Sequence, residues 1–167
     1  EDIGSFLDFV EREPGLDAER VGIHGGSYGG FVVLASLARF PERFAAGCDV
    51  VGIANIPTFL QNTRRYRRDL RRAEYGDERD PVVREVQDRI SPINNVDSIR
   101  APLLVAHGGN DPRVPVSEAE QIVSALRERD GEVWYFLAGE EGHSFRKRGN
   151  RDAFYELVAY FFEQHLL

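Results

Sequence analysis

RVGIHGGSYGG, residues 20–30, sets a short run with β-branched residues against four glycines around Ser27, and an apolar stretch with helical spacing follows at once. A strand that turns abruptly into a helix strains its corner residue, and only small neighbours let the helix pack close to the strand. Gly25-Gly26-Ser27-Tyr28-Gly29 also contains G-x-S-x-G. In that pattern the serine hydroxyl projects from the end of a sheet at a helix N-terminus, beside backbone N–H groups able to hold an oxyanion. The bare pattern is common. Its strand, turn and helix setting makes Ser27 the candidate nucleophile and the Tyr28 N–H a candidate oxyanion donor, against the alternative that the glycines merely permit a tight turn.

Working outward, Ile3, Phe6, Leu7 and Val10 mark one face of a helix that stops near Pro14 and Gly15. Arg20 to His24 read as a strand, Phe31 to Ala38 as a helix ended before Pro41, and Ala45 to Ile53 as a second strand. Residues 57–100 are polar and irregular, with helical pieces and a Ser91-Pro92 break. PLLVAH, residues 102–107, is a continuous apolar run suited to a strand buried on both faces. Ser117 followed by Glu120 has capping-box spacing at the head of a helix running to Gly131. EVWYFLA, residues 132–138, is the fourth strand, and Phe154, Leu157, Val158 and Phe161 line one face of a closing helix. Alternation of strand and helix predicts a mainly parallel sheet of about four strands in a three-layer α/β sandwich.

A serine hydroxyl needs a base. His165 lies in the last turn of the closing helix, and His24 and His107 sit within or at the ends of apolar strands, where packing roles are expected. His143, in Glu-Gly-His-Ser-Phe (141–145), occupies the loop after the last strand and is the candidate base. The imidazole in turn needs an acid to fix its tautomer. Asp111, in HGGNDPR (107–113), follows the carboxyl end of the buried strand, the rim where open α/β sheets build their sites. A turn role before Pro112 is its plainer reading, and Asp49 beside the second strand is the alternative acid. The chain order Ser27, Asp111, His143 is that of α/β-hydrolases.

Composition narrows the alternatives. A net charge of −7 argues against general nucleic-acid binding, and no apolar run is long enough to span a bilayer. A soluble chain is expected. The single cysteine, Cys48, favours a cytoplasmic setting without excluding the periplasm or secretion, and is read as a buried apolar residue. The basic run Thr63–Arg72 is read as a solvated helix or one docking on an acidic domain. No metal-ligand spacing and no phosphate loop is seen, so no cofactor is expected.

GGSYGG, then Ser91-Pro92 before a strand, then HGGNDPRVPVSEAEQ and EGHSF together resemble the catalytic domain of the prolyl oligopeptidase family of serine peptidases, over essentially the whole chain. The resemblance implies an α/β-hydrolase fold and hydrolysis of short peptides through an acyl-enzyme, with a carboxylesterase of the same fold and an inactive assembly fragment as alternatives. It implies that Arg113, in D-x-R-V-P, binds a substrate carbonyl near the scissile bond. It also implies that residues 1–167 are the C-terminal part of one hydrolase domain, because only 26 residues precede Ser27 where the family places four strands before the elbow strand. On that reading a propeller, the first half of the sheet and the loop bearing a second oxyanion donor lie outside the chain. The expected partners are a peptide substrate and that N-terminal half, with self-association through the exposed edge of the first strand.

Overall fold

The apolar run PLLVAH becomes the deepest strand of the molecule, β3 (Leu103–Gly108), every residue of which is buried. The computed structural model describes residues 2–167. On either side of β3 stand β2 (Ala46–Val50) and β4 (Val133–Ala138), and β1 (Gly22–Gly26) pairs with β2, giving a parallel four-stranded sheet in the order β1-β2-β3-β4. Alternation along β3 sends Leu103 and Val105 to one face and Leu104 to the other. Helices α1 (Asp2–Arg12), α2 (Tyr28–Arg39) and α6 (Ser117–Arg127) cover the first face through Leu7, Val33, Leu34, Leu37, Ile122, Val123 and Leu126. Helix α7 (Arg148–Leu166) covers the second, with Phe161 packed among Cys48, Leu104 and Trp134. Each such side chain contributes about 1.5–3 kcal/mol when fully buried. This is the three-layer α/β arrangement expected from the sequence.

The boundaries move for identifiable reasons. β1 starts two residues later than Arg20 and reaches Gly26, because its ladder with β2 pairs Gly26 with Val50 and the Ser27 N–H then donates to the Val50 carbonyl at 2.8 Å. α2 begins at Tyr28, ahead of the apolar periodicity, since the Gly30 and Phe31 N–H groups both donate to the Ser27 carbonyl. β2 ends at Val50 because Val51 takes a positive φ of 49° and turns the chain out of the ladder.

Residues 56–98 prove more regular than their polarity suggests. They form α3 (Ile56–Asn62), α4 (Arg65–Tyr75), α5 (Pro81–Ile90) and a 3-10 segment, Pro92–Ser98. Asn55 caps α3 by accepting from the Thr58 N–H, and Asp80 caps α5 by accepting from the Val82 and Val83 N–H groups ahead of Pro81. The capping box expected at Ser117 does not form: Val116 holds the cap position with no side-chain hydrogen bond. α6 stops at Arg127, and the Gly131 N–H closes its end on the Leu126 carbonyl at 2.9 Å. No helix among the described residues is long and apolar enough to cross a membrane.

Candidate active site

Ser27 sits between β1 and α2 with φ 60° and ψ −118°, a conformation costly for any residue with a Cβ. Two close approaches hold it there. A Cβ at Gly25 would lie 2.4 Å from the Gly29 carbonyl oxygen, and one at Gly30 would lie 2.6 Å from the Gly52 Cα. The strained corner thus rests on glycines at 25 and 30, while Gly29 has open space around it. Tyr28, the first residue of α2, has an N–H that the helix itself leaves without an acceptor.

His143 comes to Ser27 from the loop after β4. Its Nε2 lies 2.9 Å from Ser27 Oγ, and its Nδ1 lies 2.6 Å from Asp111 Oδ2. Asp111 stands at the carboxyl end of β3 with its side chain fully buried. Its other oxygen accepts from the Arg113 N–H at 2.8 Å and the Val114 N–H at 3.1 Å, leaving Oδ2 to His143, with His107 Nε2 next at 3.7 Å. His107, buried in β3, donates its Nε2–H to the Val114 carbonyl at 3.1 Å, bracing the far end of the Asp111 turn. Burial holds the His107 imidazole below the usual histidine range. The structure therefore brings Ser27, His143 and Asp111 into one hydrogen-bonded chain, and pairs Asp111 rather than Asp49 with the imidazole.

The remaining candidates fall elsewhere. His165, in the last turn of α7, lies 3.3 Å from Glu132 Oε1. His24 is exposed on the outer strand β1 rather than packed, beside a cleft of about 360 Å³ shared with Ser27, Val51, His143 and Phe154. Cys48 is buried, and burial foremost, with the neighbouring Asp49 charge, pushes its thiol up to about 12, far from thiolate chemistry. No group of three or more His, Cys, Asp or Glu suited to a metal ion occurs among the described residues.

Asp49 has a different place. It lies in β2 beneath the elbow, wholly buried, and its Oδ1 has no hydrogen-bond partner. That oxygen occupies the space any side chain at position 30 or 52 would need, 2.2 and 2.0 Å from the respective Cβ positions. Burial, above all, and the Glu118 charge push the Asp49 carboxyl up to about 7, against a hydrogen bond from the Gly52 N–H. Glu118, in the first turn of α6, is also pushed up to about 7 by burial. It accepts from the Asn55 N–H at 2.8 Å and from Thr58 Oγ1 at 2.7 Å. The two carboxyls grip the loop between β2 and α3, which carries Ile53 into the site.

Three side chains at the site are not singled out by the sequence. Glu141 accepts from the Lys147 N–H at 2.8 Å, Asn150 Nδ2 at 3.0 Å and the Arg146 N–H at 3.1 Å, tying the His143 loop to the head of α7. These bonds, the Asn150 amide foremost, hold its carboxyl below the usual range. Arg71 and Tyr75 of α4 close a small pocket of about 50 Å³ beside Ser27, together with Ile53, Phe59, Arg113, Val114 and His143. Tyr75 packs edge-on to Phe59 at 5.5 Å; burial raises its phenol and the nearby Arg71 charge opposes that rise. Arg113 itself is exposed at this rim.

Comparison with known proteins follows the same lines. The profile described as the prolyl oligopeptidase family matches residues 1–167. The dipeptidyl aminopeptidase BIII of Pseudoxanthomonas mexicana is 36% identical over 169 aligned residues, which are 99% of this chain and 24% of that protein. Acylamino-acid-releasing enzyme 2 of Oryza sativa subsp. japonica is 28% identical, over 96% of this chain and 22% of its own length. Among solved structures, the uncomplexed Pyrococcus horikoshii acylaminoacyl peptidase superposes with a TM-score of 0.87 at 28% identity, covering 98% of this chain and 27% of that one. The chain thus spans about a quarter of the length of these relatives.

Proposed function

The chain belongs to the prolyl oligopeptidase family, and from that premise we propose that it carries the catalytic centre of a serine peptidase acting on short peptides through an acyl-enzyme. One observation carries the reading: the continuous Ser27–His143–Asp111 hydrogen-bond chain at the carboxyl rim of a parallel sheet. With Asp111 accepting from Nδ1–H, the Nε2 of His143 is left to accept the Ser27 hydroxyl proton.

Ser27 Oγ attacks the peptide carbonyl carbon as its proton passes to His143 Nε2. The tetrahedral oxyanion is met by the Tyr28 N–H at the positive end of α2. Collapse breaks the C–N bond, with Nε2 returning the proton to the departing amine. A water molecule, deprotonated by the same nitrogen, then splits the ester and restores Ser27. Arg113 stands at the rim, where it supports a substrate carbonyl. The relatives' names, dipeptidyl aminopeptidase and acylamino-acid-releasing enzyme, point to the N-terminal end of a peptide as the substrate.

Covalent labelling by a fluorophosphonate, read by intact mass and peptide mapping, tests the centre. Modification at Ser27 that disappears in Ser27→Ala is expected; equal labelling of both overturns it. Comparing peptide anilides with p-nitrophenyl esters on protein that labels at Ser27 then separates a peptidase from an esterase.

A further inference from the structure

The pocket of about 50 Å³ beside Ser27 has an uneven lining. Ile53, Phe59 and Val114 supply apolar walls, Tyr75 an aromatic one, and Arg71 and Arg113 two cations, with no carboxylate among the lining residues. Arg71 is partly enclosed, its side chain 23% exposed, and one edge of its guanidinium is held by Glu74, which is itself half exposed. A guanidinium has five donors in a planar fork, so a partner on one edge leaves the others for a ligand.

The surroundings reinforce that charge. In a chain of net charge −7, α4 carries Arg65, Arg67, Arg68, Arg71 and Arg72 against Asp69 and Glu74. The helix runs along the active-site rim: Pro112 borders a groove with Arg64, Arg65 and Tyr66 on one side and the Arg113–His143 cleft on the other. A cationic strip on an otherwise anionic surface raises the local concentration of anionic ligands and orients their approach.

Resting on the nucleophile reading above, we propose that this pocket receives a short carboxylate side chain, so that the peptide residue contributing the attacked carbonyl is acidic and Arg71 is the residue that selects it. Size agrees with the charge. A liquid water occupies about 30 Å³, so the pocket takes a carboxymethyl group more readily than a ring or a long branched chain. A neutral isostere would leave Arg71 partly desolvated and unpaired on the pocket side, which is what gives the discrimination.

The test uses the full 167-residue chain and four covalent probes, with labelling rates read by intact mass. Three are N-acetyl aminoalkyl diphenyl phosphonates bearing carboxymethyl, carbamoylmethyl or isobutyl side chains, and the fourth is a fluorophosphonate with no side chain. The carboxymethyl probe is expected to label about tenfold faster than its carbamoylmethyl isostere at low salt, with the ratio shrinking in 0.5 M salt, roughly a 4 Å screening length. Arg71→Gln should bring the ratio to about one and Arg71→Glu below one, while Arg79→Gln, on the exposed turn before α5, keeps the wild-type ratio. Equal rates for the two isosteres in the wild type, or a ratio unchanged in Arg71→Gln, overturn the subsite. Labelling by the fluorophosphonate with no labelling by any of the three phosphonates overturns it as well. Absence of fluorophosphonate labelling at Ser27 is a separate result, which defeats the nucleophile itself and the subsite with it.

Discussion

The sheet rim and the helical segment 56–98 build opposite walls of one site by different means. At the rim, Ser27 and Asp111 are fixed by backbone: on one side glycines at which an added Cβ would fall within 3 Å of neighbouring main chain, on the other two main-chain N–H donors. In the helical segment Ile56, Phe59 and Leu60 are buried, but α4 is held largely through charged side chains, as where Arg72 joins Glu78 at 2.6 Å and Asp69 at 3.3 Å, and large apolar groups such as Tyr66, Leu70 and Val82 stand exposed. The difference separates two demands. Chemistry needs positions held to a fraction of an ångström, which a close-packed backbone supplies; discrimination between ligands needs charge and shape, which side chains on a helix supply and can exchange.

The sharpest way to break this contrast is at the rim. His143→Ala should slow labelling of Ser27 by about a thousandfold or more, with Ser27→Ala abolishing it; a small effect would mean that the proton has another route. Gly30→Ala should destabilise by about 3 kcal/mol, near the upper range for overpacking, because the added methyl meets Asp49 and Gly52 within 3 Å. Gly29→Ala, one residue away with open space around it, should be neutral or stabilise by about 0.5–1 kcal/mol. Urea titrations of both variants measure this difference, and equal losses would remove the steric account of the elbow.

A pH titration of stability sharpens the comparison further. The native Asp49 carboxyl, raised to about 7 from an ordinary 3.8, binds its proton more tightly than in the unfolded chain. Its contribution is therefore fully present below about pH 4 and is lost as pH rises through 7. Asp49→Asn should flatten the fall in unfolding free energy between pH 4 and 8, since every tenfold difference in proton affinity between the folded and unfolded carboxyl is worth about 1.4 kcal/mol. Glu118→Gln should act in the same direction, and the two should not add, because each charge raises the cost of the other. A variant slope as steep as the wild type's would exclude Asp49 as the titrating group. The smallest effect is expected in the helical segment: Arg72→Gln should speed amide exchange across residues 65–80 by about tenfold while leaving fluorophosphonate labelling of Ser27 within twofold.

The same division decides what could be read from the sequence. Ser27, Asp111 and His143 were legible because each is announced by local constraint: glycines at a strand–helix corner, an aspartate in the turn after a wholly buried strand, a histidine in the loop after the last strand. The four strands were legible for a similar reason, their apolar runs being short and separated. Arg71, Glu118 and Glu141 carry no such mark. A charged residue on a helix reads as solvated, and only tertiary placement turns Arg71 into a pocket wall or buries Glu118 under a loop. Capping at Ser117 failed for the converse reason, since a local signal yielded to the packing that draws Glu118 inward.

The adjacency of the strands in chain order has a consequence in time. Each strand joins the growing edge left by its predecessor, so Ser27 can be seated on the sheet while His143, 116 residues further along, has yet to be made. At a synthesis rate of about 5–20 residues per second that interval lasts roughly 6–23 s. During it the nascent chain carries Ser27 with no histidine beside it to take its proton. The order of the strands acts as a delay, and on the proposed function Ser27 gains its base only with the loop that follows β4.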